Sequence, residues 1–465
     1  AGNGDVTIDS GTVNAGAGGV GLPAPLDTIA VPIGGGVIAA TNNGAATVNA
    51  HGDISVAGGT FGAAAISLNG SATVNLNGVT IDPPQIGAAA IVLGGSDDAS
   101  ITTGTATVDA TLAGLVGYNG GTGDVSIDAE GATIGSGTAP LAGIVGVATG
   151  GGNVDIEGRD STVTAGAGIA GYASNGGNVW IDSGNVTATG LGPLSLGVVG
   201  IAQGGGDVDI DTHGDTTAAG LVAVGGYADT GGDVSIDLKG DSDDITSVIA
   251  ANGIGVIGVA QGGGDVDIEG EYSNVNAAVG IVGFADAGGN VWIDSGDVTA
   301  SGGALGVGVM GVALGGGDVD IDTHGDTTAS GLVGVGGFAD TGGDVTIDLL
   351  GSDDDYTLVS AANGVGVLGV ALGGGDVDIE GEYSDISASA GIVGLAQGGG
   401  NVWIDSGVVE ATGTGLTGIG VSGTALGGNV DIDTHGDITA NGLFGVMGLA
   451  TGGDVTITLG EDTTV

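Results

Sequence analysis

Val and Ile alternate with acidic and small polar residues in a segment that recurs down the chain. Asp207-Val-Asp-Ile-Asp211, Asn290-Val-Trp-Ile-Asp294 and Asp318-Val-Asp-Ile-Asp322 are three copies. Strict alternation is the signature of a strand with one apolar face and one polar face. The first Val of this segment, the anchor, stands at 125, 154, 179, 208, 234, 266, 291, 319, 345, 377, 402, 430 and 455. A second pattern, Gly-Val-x-Gly-Φ-Ala with Φ a large apolar residue, occupies 143–148, 168–173, 197–202, 255–260, 280–285, 308–313, 366–371 and 391–396. It is apolar on both faces. Gly-Gly-Gly turns and short Thr/Ala stretches such as Thr216-Thr-Ala-Ala219 lie between these strands, and helical periodicity is absent. Repetition every 25 to 32 residues marks a solenoid. The pattern predicts an all-β, right-handed parallel β-helix (a β-solenoid) with one coil per repeat and ~4.8 Å of rise per coil.

A longer period overlies the short one. Val154 to Val266 and Val179 to Val291 both span 112 residues, and Val208 to Val319 spans 111, so four unlike coils form a super-repeat. Duplication of a four-coil block explains that period. Residues 121–465 are expected to be regular coils. Residues 1–120 read as degenerate coils and a cap, with Gly4-Asp-Val-Thr-Ile-Asp-Ser-Gly11 as a good copy and Ala72-Thr-Val-Asn75 as a weaker one. Prolines at 23, 25, 32, 83, 84 and 140 suit irregular capping loops, and Pro193 falls in a loop-like Gly-Leu-Gly-Pro. Glycine, 110 residues of 465, is expected to supply left-handed turn conformations at the corners.

Charge changes the functional picture. Against 55 acidic residues there are only Arg159 and Lys239, giving a net charge of −53. That balance argues against nucleic acid, which needs cationic side chains, and against anionic lipid headgroups. Multivalent cations, salt or a cationic surface are the natural counterparts. Cysteine is absent, which fits a chain exported unfolded, and no apolar helical segment long enough to cross a membrane is present. The first residue, Ala1, reads as a processed N-terminus. The expected location is extracellular or the cell surface.

With its Gly-Gly-Gly-Asp-Val-Asp-Ile and Gly-x-Gly-Val-x-Gly-Val-Ala segments, the chain resembles the passenger regions of bacterial autotransporter adhesins and filamentous-haemagglutinin-like proteins. The resemblance covers most of 121–465 and, more loosely, 1–120. It implies a right-handed β-helix, export to the cell surface, and roles in adhesion, aggregation or biofilm. One departure is that Gly460–Val465 closes the last coil without an outer-membrane barrel.

Stacking the coils in register turns repeated positions into columns. Three residues after the anchor, every coil from Asp128 to Asp433 carries an acid, and the position before the anchor is always Asp or Asn. Carboxylates ~4.8 Å apart repel by roughly 0.9 kcal/mol per pair even at the dielectric constant of water. Three effects can offset this: Ca²⁺ or another hard cation bridging coils, screening by salt, or shared protons. The candidate cation column comprises Asp182, Asp207, Asp209, Asp211, Asp237, Asp265, Asp267, Asp294, Asp318, Asp320, Asp322 and Asp348. Neither the nonapeptide calcium repeat nor an EF-hand loop is present. The clusters Asp241-Ser-Asp-Asp244 and Asp353-Asp-Asp355 read as exposed loops.

His51, His213, His324 and His435 each precede Gly-Asp. A zinc or catalytic role needs ligands converging on one point, whereas the regular copies recur every fourth coil, ~19 Å apart. They are read as corner residues bonded to the Asp two positions on. Trp180, Trp292 and Trp403 replace an outward Asp in three equivalent coils, for sugar stacking, subunit contact or cover of a loop. On the Gly-Val-x-Gly-Φ-Ala strand the second apolar face includes Val145, Val147, Tyr172, Phe284 and Met310. A strand apolar on both faces is normally covered on both. Either a second subunit or the 1–120 segment is expected to cover it. The functional expectation is a non-enzymatic, self-associating structural solenoid forming a filament, sheath or layer. The alternative is a monomeric adhesin stalk that binds a glycan or host surface. A polysaccharide-active enzyme would need one distinct acid cluster in a cleft, and near-identical coils single out none.

Overall fold

The alternating Val/Ile segments stack as parallel strands, coil upon coil. The computed structural model describes residues 3–15, 35–82, 84–190, 195–353, 355–460 and 463–465. Ala1, Asp354 and the prolines at 23, 25, 32, 83 and 193 lie outside these. The chain is an all-β parallel β-solenoid of about 15 turns, consistent with the expected right-handed β-helix, and 63% of it is strand. It divides into two compact units, Ala1–Asp229 and Thr230–Val465.

In each unit a coil contributes three strands, and equivalent strands of successive coils form three parallel sheets. In the first unit one coil runs Val208–Thr212, Thr216–Ala218 and Val222–Ala228. The equivalent coil of the second unit runs Val319–Thr323, Thr327–Ala329 and Val333–Ala339. We call these the first, second and third faces. In some coils the strand continues around the corners, as in Val266–Ala285 and Val377–Gln397. Register is one-to-one: Val154, Val179 and Val208 align in the first unit, and Val291, Val319, Val345 and Val377 in the second.

The degenerate N-terminal sequence builds the same three faces. Ala46, Ala72 and Ala99 take the anchor position in register with Val6 and Val125. Small inward residues are enough here, because stacking needs a buried apolar side chain and a free backbone rather than a fixed sequence.

Side chains inside the coils are mostly apolar. Val154, Ile156, Val208, Ile210, Val319 and Ile321 are all buried. Room for them is left by glycine: a Cβ on Gly146, Gly200 or Gly311 would lie 2.5–2.6 Å from Cγ1 of Val154, Val208 or Val319. The turns show a division of labour. In Gly398-Gly-Gly400 the first two residues have φ of +83° and +115°, but Gly400 does not need a left-handed backbone. A Cβ on it would sit 1.8 Å from the Gly375 carbonyl oxygen of the coil before. The same collision recurs at Gly264, Gly289, Gly317, Gly343 and Gly375. The third glycine is therefore required by coil-to-coil contact, whereas the first two positions take a left-handed backbone, which Ala287 and Thr341 adopt at the first of them.

A side-chain ladder runs beside this glycine column. In the second unit Oδ1 of Asp233 accepts the backbone N–H of Asp265, Asp265 that of Asn290, Asn290 that of Asp318, and Asp318 that of Asp344, at 2.7–2.9 Å. It continues through Asp376, Asn401 and Asn429 to Asp454. In the first unit the chain of acceptors runs from Asp98 to Asn178, whose Oδ1 accepts the Asp207 N–H. Asp and Asn share this position because either can accept the amide of the coil above. Asn290→Ala should therefore leave the Asp318 N–H without its acceptor and cost about 1 kcal/mol, whereas Asn290→Asp keeps it. Paired thermal melts followed by circular dichroism check the difference.

Candidate functional site

The outward positions of the first face form two columns. In the second unit Asp237, Glu269, Asp294, Asp322, Asp348, Glu380, Asp405 and Asp433 stand in register three residues after the anchors. In the first unit Asp128, Glu157, Asp182 and Asp211 do the same. One residue after the anchor, each tryptophan lies between two aspartates. Trp180 is flanked by Asp155 and Asp209, Trp292 by Asp267 and Asp320, and Trp403 by Asp378 and Asp431. Each Trp is 40% exposed. Around Trp403 a shallow depression of about 390 Å³ is lined by Asp378, Glu380, Asp405, Asp431 and Asp433.

The candidate cation residues therefore separate by role. Asp265 and Asp318 are acceptors in the backbone ladder, and the Asp207 amide donates to it. Asp182, Asp211, Asp237, Asp294, Asp322 and Asp348 belong to the acid column, and Asp209, Asp267 and Asp320 to the Trp column. Single-file stacking supplies few ligands per level. Among the described residues no three His, Cys, Asp or Glu side chains converge as a metal-binding cage requires. The loop at 241–244 closes on itself, with Asp241 Oδ1 accepting the N–H groups of Asp243 and Asp244.

The histidines behave differently from the sequence expectation. His213 Nε2 approaches Asp182 Oδ1 of the preceding coil at 3.3 Å, while the Asp215 amide donates to Asn185 Oδ1. His324 Nε2 lies 3.2 Å from Asp294 Oδ1, and His435 Nε2 3.2 Å from Asp405 Oδ1. The corner projects the imidazole across the stack to the acid column, not along its own strand to the Asp two residues on. A period of one His per four coils carries no sign of this partner in the linear sequence.

Burial raises the carboxyl pKa of Asp182, Asp294 and Asp405, and the facing imidazole opposes that rise in each. Asp348 has no such imidazole. Burial, followed by the charges of Glu380 and Asp322, pushes it up to about 7. Burial also raises Asp155, Asp267, Asp320, Asp322 and Asp378. A carboxyl with a raised folded-state pKa binds its proton more tightly when folded. Stability then increases as pH falls through the folded value and levels off near the unfolded value. We expect the melting temperature in dilute buffer to rise between about pH 8 and pH 5. The gain is on the order of 2 kcal/mol after allowance for solvent screening. Salt at about 1 M, where the Debye length is ~3 Å, should reproduce much of that gain at pH 8.

On the third face, outward residues form two apolar columns. In the first unit Val145 aligns with Ala170 and Val199, and Val147 with Tyr172, Ile201 and Tyr227. In the second unit Val282, Met310, Gly336, Leu368 and Val393 form one column, and Phe284, Val312, Phe338, Val370 and Leu395 the other. Val145, Val147, Tyr172, Phe284 and Met310 are all half-buried. The exception is near the N-terminus, where outward Ala64, Ile66 and Ala89 are fully buried in a cluster with Phe61. Cover of this face is thus local to the early coils, and from Val116 onward the face is partly open.

No family model, curated protein or solved structure matches the chain. No helix among the described residues is long and apolar enough to cross a membrane. The parallel β-solenoid of about 15 turns is consistent with a β-helix passenger.

Proposed function

We propose that this protein is an extracellular structural β-solenoid that self-associates side by side through its third face, building a filament, sheath or layer. The observation that carries this reading is the pair of in-register apolar columns through Val282 and Phe284, which contain no charged residue in a chain of net charge −53. The first face, by contrast, presents the acid column, which repels the same face of a second copy. A contiguous apolar stripe of this kind marks an interaction surface. The resemblance to autotransporter and filamentous-haemagglutinin passengers supports export and a role in adhesion or aggregation. Cations, Ca²⁺ included, act in this reading as a screening atmosphere along the acid column. Sedimentation velocity across a wide concentration range should show species larger than the monomer, and electron micrographs should show lateral bundles. A monodisperse monomer at high concentration overturns the proposal.

A second reading rests on the tryptophans. A half-exposed indole between two carboxylates offers a stacking platform with hydrogen-bond acceptors on either side, which suits a glycan or cell-surface ligand on a monomeric stalk. Replacing Trp180, Trp292 and Trp403 together by Ala should abolish binding to immobilised polysaccharide while leaving sedimentation unchanged. Binding by the triple variant at the wild-type level removes this reading.

A further inference from the structure

The acid column has a counterpart within the same protein that is built mainly of amides. Three residues after the anchor in the first coils stand Asp9, Asn49 and Asn75, aligned by strand register. There the side chains bond to one another along the stack: Asn49 Nδ2 donates to Asp9 Oδ1 at 2.7 Å, and Asn75 Nδ2 to Asn49 Oδ1 at 2.8 Å. This position can therefore hold a continuous side-chain hydrogen-bond ladder, provided each member offers a donor. Further along, the same position is acidic, and an ionised carboxylate accepts but cannot donate.

A protonated carboxyl is nearly the same shape as a carboxamide and has an O–H where Asn has an N–H. The coil carrying Asp348 is where such a donor is missing most plainly. Asp348 aligns with Asp322 below and Glu380 above, and its Oδ1 is buried with no hydrogen-bond partner. The charged groups facing it are Asp320 and Asp322 from the preceding coil and Asp378 and Glu380 from the following one, all acidic. No imidazole reaches it, because His324 turns to Asp294.

We infer that the acid column is a titratable form of the amide ladder. On mild acidification Asp348 takes up a proton and donates it in a hydrogen bond to the carboxylate of Asp322 or Glu380, locking adjacent coils together as Asn49 and Asn75 do permanently. The transfer is a simple protonation from solvent, with no covalent bond between residues made or broken. The raised affinity of this carboxyl for a proton has the sign the ladder requires. Acidity thus stiffens the solenoid along its stack. This inference does not depend on whether the third face associates.

The test compares full-length Asp348→Asn, Asp348→Ala and, as a charge-only control in an exposed turn, Asp243→Asn, by thermal melts at pH 8 and pH 5 in dilute buffer. Asn supplies the missing donor at any pH, whereas Ala removes the charge together with the carboxyl oxygens and supplies no donor. Asp348→Asn should melt about 2–4 °C above wild type at pH 8, above both other variants, and should gain less than wild type on going to pH 5. An Asp348→Asn chain that melts no higher at pH 8 than Asp348→Ala overturns the inference. So does one that fails to fold, because the column would then not accept the amide that Asn49 and Asn75 provide.

Discussion

Gly400→Ala should destabilise the protein by about 3 kcal/mol or more, although alanine is the smallest possible change and the backbone there is one any residue adopts. Its Cβ would lie 1.8 Å from the Gly375 carbonyl oxygen, and the obstruction is backbone with no rotamer to turn away. The neighbouring Gly399→Ala is the informative control. That residue has φ of +115° and no atom within 4 Å of an added Cβ, so it should cost only the left-handed backbone penalty, about 1–2 kcal/mol. Hydrogen exchange should localise the Gly400→Ala loss to the coils around 375–428, since stability in a solenoid is summed over nearest neighbours. Equal effects of the two substitutions would mean that turn geometry, not stacking, sets the glycine requirement.

Phe284→Asp is expected to abolish lateral association. Phe284 sits mid-column between Val259 and Val312, half-buried in the isolated chain, and the proposed side-by-side contact would bury it further. A lone carboxylate closed into an apolar interface finds no partner on a surface without cations. Association should weaken at least about 100-fold, equivalent to about 2.7 kcal/mol. The side chain projects away from the coil interior, so the melting curve of the monomer should change little. Sedimentation velocity of Phe284→Asp beside Trp292→Ala, a first-face substitution, separates the two surfaces. Loss of assembly in both would point to a general fault in folding, and in neither would leave the third face without a role.

Parallel, in-register stacking explains why so much was legible from the chain alone. When equivalent positions of successive repeats become neighbours, a column such as Asp294, Asp322 and Asp348 can be written down from the alternation of Val and Ile. The inward and outward sides of Gly-Val-x-Gly-Φ-Ala follow from the same rule. What escaped the sequence lies at the corners, where geometry is not periodic within a strand. The Asp or Asn before each anchor reads as one more acidic column, yet its oxygen is committed to the next coil's amide. Proximity in sequence pairs His213 with Asp215, but the turn carries it to Asp182. The third glycine of each turn looks like the first two, and only the distance to the carbonyl below distinguishes it. The burial of Ala64 and Ile66 falls under the expected alternative of cover by the 1–120 segment, but the strand pattern does not encode which residues receive that cover.

The glycine column also bears on how such a chain changes length. Each coil meets its neighbours through the same carbonyl-to-glycine contact and the same amide-to-Asx bond, so every junction in a regular stack is interchangeable with every other. A block of four coils can be duplicated or lost by unequal recombination, and the new junction is one the protein already makes. Single-residue change at Gly317 or Gly400 has no such freedom, since it intrudes on an adjacent coil whatever that coil's sequence. The architecture is therefore tolerant of gain or loss of whole modules and intolerant of drift at a few points within them. The number of stacked coils becomes the property that evolution can adjust most readily.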